Sequence, residues 1–383
     1  MDKPTVQDIF HRFYSAYLDQ YSPSPVQAKV AHNIMNCKTG AYGANVCVCE
    51  DCGFVQIHYN SCRNRCCPMC QAVPKEMWMD ARREDVLDAP YFHLVFTVPD
   101  ILNPVIYSNQ RLLYDALYHA ASSTISELTA DPKHLGAKVG YICILHTWGS
   151  EMNFHPHIHT ILLGGGLASN NQWKDNGENF FLPIRVISKM FRGKYLEELK
   201  RLWEEDKLVF HGTAEKFRNH YTFKELLDSC YGMDWIPHCK KTFNGAQTVI
   251  KYLGKYTHRI AVSNHRIVRM DDDTVTFLVK DYRNEGQWKE LTISGVEFVR
   301  RFLMHVPPRR FVRIRHYGLL CSRTKSQKLT LCRNLLGCKK YLSKLRDMEM
   351  PEILEHLYGI KVCVCKACGG HLGKPQMRMP LRC

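Results

Sequence analysis

The chain contains no run approaching 18 apolar residues, so its sequence offers no transmembrane helix. Its start, Met1-Asp2-Lys3-Pro4, lacks the charged-then-apolar layout of a secretory signal. These two absences predict a soluble, cytoplasmic protein, associated with the nucleoid if bacterial, with no membrane partner. No internal repeat or low-complexity tract is visible. Acid is also scarce: Asp plus Glu is 37 against 52 for Lys plus Arg, a difference of +15. Such a balance favours a polyanionic partner, nucleic acid before an anionic membrane. Between Phe298 and Arg346 there is no acidic residue at all, against fourteen lysines and arginines. A solvated face usually mixes signs. Phe302, Phe311, Tyr317 and Tyr341 interleave with these charges, a pattern suited to stacking single-stranded bases or tracking a duplex backbone.

Cysteine, by contrast, is abundant and clustered. Of 18 cysteines, eight lie from Cys37 to Cys70 and seven from Cys321 to Cys383. In a reducing compartment disulfides are an unsuitable use for them, which leaves metal. Cys49-Glu50-Asp51-Cys52 and Cys67-Pro68-Met69-Cys70 are two C-x2-C knuckles, the strongest such signal in the chain. Cys37, Cys62, Cys66 and His32 would bring the set to eight ligands and permit a second structural Zn²⁺. Cys47 is then spare, and His58 a substitute. Arg63, Arg65, Lys75, Arg82 and Arg83 around the module would supply phosphate contacts. Near the C-terminus, Cys363, Cys365, Cys368 and His371 form a candidate knuckle with Cys383 in reserve.

Periodicity predicts helices over about 5–36, broken at Ser22 to Pro25, and over 72–88. From Tyr91 the pattern turns to short apolar runs. Strands are expected at Tyr91–Val98, Gly140–His146 and His157–Leu163, with helices at 105–130, 185–206 and 245–258. Thr274–Val279 and Trp288–Ile293 read as a late hairpin. That order is the one expected of an α+β fold with a central antiparallel sheet. The corresponding division is 1–88 for a helical and zinc-binding part, 89–297 for a catalytic domain, and 298–383 for a basic C-terminal region.

The chemistry concentrates in two places. In Asn153-Phe154-His155-Pro156-His157-Ile158-His159, side-chain alternation puts His157 and His159 on one face of a strand. In Tyr252-Leu253-Gly254-Lys255-Tyr256, the two phenols share one face of a helix, among Lys251, Lys255, His258 and Arg259. A metal-binding face and a phenol-bearing helix suit cleavage of a phosphodiester through a covalent phosphotyrosine. His146 is the first choice for a third metal ligand, with His155 and Gln247 as alternatives.

His146-Thr147-Trp148-Gly149, the Asn153–His159 stretch and Gly164-Gly165-Gly166-Leu167 together resemble the metal motif of the two-tyrosine rolling-circle insertion-sequence transposases. These belong to the HUH endonucleases, named for histidine-hydrophobe-histidine. Tyr252–Arg259 is similar to that family's tyrosine helix, and Arg313-Ile314-Arg315-His316-Tyr317-Gly318 to a downstream signature. The resemblance spans roughly residues 25–325. It implies an HUH endonuclease domain, an N-terminal zinc-binding domain for DNA recognition, and Mg²⁺ or Mn²⁺ at the histidines. Tyr252 and Tyr256 would each attack a scissile phosphate of single-stranded DNA at element ends and target, leaving a 5′-phosphotyrosine and a free 3′-hydroxyl. Lys255, Arg259, Arg313 and Arg315 would touch DNA, and oligomeric state is left open. Two other readings stay available: a plasmid relaxase or rolling-circle replication initiator, and a non-enzymatic zinc-finger nucleic-acid-binding protein. An integrase-type recombinase is disfavoured, because no arginine-histidine-arginine arrangement precedes a single late tyrosine.

Overall fold

The computed structural model describes residues 3–175, 182–235, 237–243, 249, 254, 261–281 and 284–378. The chain opens with α1 (Val6–Leu18) and α2 (Pro25–Met35). Each begins on a capping box. In the first, the Asp8 amide donates to Thr5 Oγ1 (3.3 Å) and the Thr5 amide to Asp8 Oδ2 (2.8 Å). In the second, Ser24 and Gln27 do the same, with Pro25 in the first turn. The Ser-Pro break is therefore a helix start.

The cysteine-rich stretch forms a small sheet from β1 (Ala44–Val48) and β2 (Val55–Tyr59), then leads into α3 (Ala72–Arg83). Next come β3 (Tyr91–Thr97), α4 (Asn103–Ser108), α5 (Gln110–Ala130), β4 (Lys138–Trp148), β5 (Phe154–Leu167) and β6 (Trp173–Asp175). After α6 (Ile184–Glu204) and α7 (His220–Gly232), β7 (His238–Phe243) returns to the sheet. The helix expected over 245–258 lies outside the described residues except for Val249 and Gly254.

A hairpin layer follows: β8 (Ile267–Met270), β9 (Thr274–Asp281) and β10 (Gln287–Ser294), closed by α8 (Gly295–Met304). α8 buries Phe298 and Phe302 against α1, with Phe10 edge-on to Phe302 at 5.3 Å. The remaining elements are β11 (Ile314–Gly318), α9 (Lys325–Leu336), α10 (Met350–Tyr358) and β12 (Gln376–Arg378).

The fold is α+β around a central antiparallel sheet of order β11-β4-β5-β3-β7, with β6 beside β5. Alternation divides its strands between two cores. Phe92, Leu94, Tyr141, Cys143, Ile158 and Leu162 face α5, α6 and α7. On the opposite face Ile142, Ile144, Ile161 and Leu163 pack with Met79 of α3, Leu329 of α9 and Val249. His146, His157 and His159 continue this second face beyond its apolar part. Among the described residues no helix is long and apolar enough to cross a membrane.

The acid-free stretch 298–346 winds back over the rest of the chain. Arg300 and Arg301 both pair with Glu297, Arg315 with Asp115, Lys325 with Asp85 and Arg346 with Glu84. Asp80 of α3 anchors its far end, accepting from Tyr341 Oη (2.6 Å), Ser343 Oγ (2.6 Å) and the Leu345 amide (3.0 Å). Burial pulls the Asp80 carboxyl upward, but these donors outweigh it and hold the group below the usual carboxylate range. Asp80→Ala should therefore lower stability by about 2–3 kcal/mol in denaturant unfolding. Asp80→Asn, which keeps an acceptor, should lose less.

Candidate metal centres

In the antiparallel register His146 stands directly opposite His157, and Ile144 opposite His159. All three imidazoles therefore project from the same face, and one nitrogen from each lies within 4.8 Å of the others. They are buried. His157 Nδ1 lies 2.7 Å from the His155 carbonyl, which can only accept, so the ring proton sits on Nδ1 and Nε2 is a lone pair. That Nε2 is 3.0 Å from His159 Nε2. A six-coordinate ion with bonds of about 2.1 Å has neighbouring ligand atoms about 3.0 Å apart, so the spacing fits a shared cation. Burial, with the neighbouring His155, holds His157 down to about pKa 4, and burial with His146 and His157 holds His159 well below its usual value. Neutral imidazole is the form that ligates metal.

The sequence reading missed His93. It lies on β3, which pairs with the other edge of β5, and its Nε2 is 2.9 Å from His159 Nδ1. A proton on His159 Nδ1 donated to His93 would aim the Nε2 lone pair at the cation, the usual role of an outer partner on a metal-binding histidine. A histidine facing the same side of a neighbouring strand was the available signal, but strand order was not. His93→Ala should weaken Mn²⁺ affinity by about 10–100-fold in direct titration. His93→Gln, which can still accept that proton, should lose less.

The other expected residues are placed as follows. His155 turns toward Asp100, with Nδ1 3.2 Å from its carboxylate. Gln247, Tyr252, Lys255, Tyr256 and Arg259 lie outside the described residues. Val249 and Gly254, which bracket Tyr252 in sequence, are described and buried. Val249 joins the apolar core on the histidine face, and a side chain at Gly254 would run into Met79 of that same core. Arg313 and Arg315, expected on DNA, are engaged within the fold. The Arg313 guanidinium lies over Trp148 at 5.5 Å, and that of Arg315 over Tyr118 at 3.9 Å beside its ion pair with Asp115. Arg65 donates to the Phe311 carbonyl at 2.6 Å, and Arg82 pairs with Asp85 at 2.8 Å. Arg63 is exposed.

The sulfurs of Cys37, Cys62, Cys67 and Cys70 lie within 4.8 Å of one another, with Cys62 and Cys70 3.8 Å apart. Tetrahedral zinc with Zn–S of about 2.3 Å sets its sulfurs about 3.8 Å apart. Hydrogen bonds from Cys62 and Cys67 hold the Cys70 thiol far below its usual value, while the same crowding drives Cys67 far above. Four sulfurs at this spacing fit a structural zinc. Two expected ligands stand outside this group. Cys66 is buried away from it, its thiol pushed up to about 11 by burial against the pull of Arg313. His32 stays within its own helix end, where the Asn36 side-chain amide donates to its Nδ1 (3.3 Å) and to its carbonyl (2.9 Å). Cys49 and Cys52 do not combine with Cys67 and Cys70 either. Their sulfurs meet Cys365 and Cys368 instead. Cys383 lies outside the described residues.

A family model described as "Transposase zinc-binding domain" matches residues 9–98, and one described as "Putative transposase" matches residues 140–328. The chain is 40% identical over 369 residues to "Putative transposase y4qJ" of Sinorhizobium fredii, covering 95% of this chain and 93% of that one. It is 30% identical over 309 residues to the transposase for insertion sequence element IS801 of Pseudomonas savastanoi pv. phaseolicola, covering 79% and 72%. Among solved structures, the conjugative relaxase TrwC in complex with oriT DNA aligns at 12% identity over 43% of this chain and 71% of that one. Its TM-score of 0.25 is too low for that likeness to bear on mechanism.

Proposed function

The chain belongs to the two-tyrosine HUH rolling-circle insertion-sequence transposases, and we propose that it cuts and rejoins single-stranded DNA through Tyr252 and Tyr256 against the histidine face. One observation supports this reading above the others. Val249 and Gly254 pack on the face of the sheet that carries His146, His157 and His159, and the sequence between and just after them holds both tyrosines.

His146, His157 and His159 would hold Mg²⁺ or Mn²⁺ through neutral nitrogens. Bound there, the ion would neutralise and polarise the scissile phosphate. His93 would fix the ring of His159. Lys251, Lys255, His258 and Arg259, close in sequence to the phenols, would favour the phenolate over a phenol of pKa near 10. The tyrosine oxygen forms a bond to phosphorus as the bond from phosphorus to the 3′-oxygen breaks. The 3′-oxygen leaves with the proton the phenol gave up, as a free hydroxyl. The reverse step joins the 5′-phosphate to another 3′-hydroxyl and returns a proton to tyrosine. One phosphoester replaces another each time, so no nucleoside triphosphate is consumed. A second tyrosine would allow two strands to be held covalently within one cycle. The reaction would take place in the bacterial cytoplasm, where such DNA is found.

End-labelled single-stranded oligonucleotides carrying the element's own terminal sequences test the reading. With Mn²⁺ the protein should release a fragment whose 3′-end a polymerase can extend, and whose other product is blocked at its 5′-end. Binding to all terminal sequences with no cleavage of any would instead favour a non-enzymatic DNA-binding protein.

A further inference from the structure

The last described strand joins the N-terminal sheet. β12 pairs antiparallel with β1, Ala44 opposite Arg378 and Val46 opposite Gln376, so the N-terminal sheet has the order β12-β1-β2. The contact runs on through a bridge between Cys49 and Leu372, and the Gly373 amide donates to the Val48 carbonyl at 2.9 Å. At this seam Cys49 Sγ is 3.5 Å from Cys368 Sγ, and Cys52 Sγ is 3.8 Å from Cys365 Sγ. All four sulfurs lie within 4.8 Å of one another. Those separations are close to the roughly 3.8 Å edge of a tetrahedral zinc–thiolate site and far from the roughly 2.05 Å of a disulfide.

The two halves are built alike. In one, the Cys49 amide donates to the Phe54 carbonyl (2.9 Å) and the Gly53 amide to the Cys49 carbonyl (3.0 Å). In the other, the Cys365 amide donates to the Gly370 carbonyl (2.8 Å) and the Gly369 amide to the Cys365 carbonyl (3.0 Å). Each loop turns on the glycine after its second cysteine, Gly53 at φ 71° and Gly369 at φ 78°. The Ala367 amide donates to Cys365 Sγ and the Gly370 amide to Cys368 Sγ, both at 3.4 Å. The apolar support is meagre: the seam's own core is Cys47, Cys49, Cys365 and Leu372. A cluster that small does not hold a three-residue strand in place without a staple.

We propose that Cys49, Cys52, Cys365 and Cys368 bind a second structural zinc that clasps the two ends of the chain together, separate from the site of Cys37, Cys62, Cys67 and Cys70. The zinc-binding family match ends at residue 98 and so includes only two of these four ligands. Cys363 and His371 take no part. His371 is exposed and faces Glu50, its Nδ1 3.5 Å from the carboxylate.

Zinc content and thiol alkylation of the full chain, read by mass spectrometry, test the clasp. The native protein should carry about two zinc ions. As a chelator is titrated in, Cys49, Cys52, Cys365 and Cys368 should lose protection together, as one group. In Cys365→Ser/Cys368→Ser one zinc should be lost, and Cys49 and Cys52 should become reactive while Cys37, Cys62, Cys67 and Cys70 stay protected. Retention of both zincs with Cys49 and Cys52 still protected in that variant would overturn the proposal. So would rapid alkylation of Cys365 and Cys368 in the native, zinc-replete protein, a measurement that requires no variant to fold.

Discussion

Replacing His157 and His159 together by alanine should lower metal-dependent strand cleavage by roughly 10³-fold, equivalent to about 4 kcal/mol of transition-state stabilisation. The two rings are neutral and buried, and one nitrogen of each faces the other at 3.0 Å. Their removal leaves the proposed ion with a single described imidazole, that of His146. Single-stranded DNA binding should hardly change, because burial keeps both replaced rings neutral near neutral pH, so no cation is lost with them. A parallel loss of binding and cleavage would point to a structural role. The single variants divide the ligand set: His146→Ala should behave like its partners, and His155→Ala should not. Cleavage rate against Mn²⁺ concentration, with binding measured separately in the same buffer, decides among these outcomes.

The second large effect concerns two adjacent cysteines with opposite fates. Cys67→Ser should remove one zinc and destabilise the first 70 residues by several kcal/mol, since zinc binding and folding are one equilibrium in such modules. Cys67 also lies in the core that joins α1 and α2 to the β8–β10 layer. Losing it should therefore lower the unfolding temperature on the order of 10 °C and weaken DNA binding. Cys66→Ser, one residue away and just as buried, should keep both zincs and cost only about 1–2 kcal/mol for burying a hydroxyl in place of the thiol beside Arg313 and Arg65. Zinc analysis beside thermal unfolding of the two variants separates the roles. Equal zinc loss from both would mean that Cys66 is a ligand and that Cys37, Cys62, Cys67 and Cys70 are not the full set.

The strands carrying the histidines were legible because local signals agree there. Alternation places His157 and His159 on one face, and the turn around Gly149 to Asn153 pairs β4 with β5, so His146 was a reasonable third ligand. His93 was not legible, because β3 precedes β5 by some sixty residues and nothing local says that it fills the far side. The cysteines show the same division. Spacing revealed that they bind metal, but which knuckles share an ion depends on a strand that returns from the opposite end of the chain. The sequence does carry one signal for the pairing. Cys49-Glu50-Asp51-Cys52-Gly53 and Cys365-Lys366-Ala367-Cys368-Gly369 share a C-x2-C-Gly pattern that Cys67-Pro68-Met69-Cys70-Gln71 lacks. The basic stretch was legible as charge and not as destination. Arg315, Lys325 and Arg346 find Asp115, Asp85 and Glu84 two hundred or more residues away, so part of that charge closes the fold.

Attack by tyrosine leaves the protein covalently joined to DNA, and that adduct can be captured. The protein is incubated with Mn²⁺ and a labelled single strand bearing its element's terminal sequence, denatured, and analysed for labelled protein, with the adduct peptide sequenced by mass spectrometry. DNA should be linked through a 5′-phosphate to Tyr252 or Tyr256, with the adduct reduced in each single phenylalanine variant and absent from Tyr252→Phe/Tyr256→Phe. An undiminished adduct in that double variant, or cleavage that proceeds with no adduct at all, would contradict attack by these tyrosines.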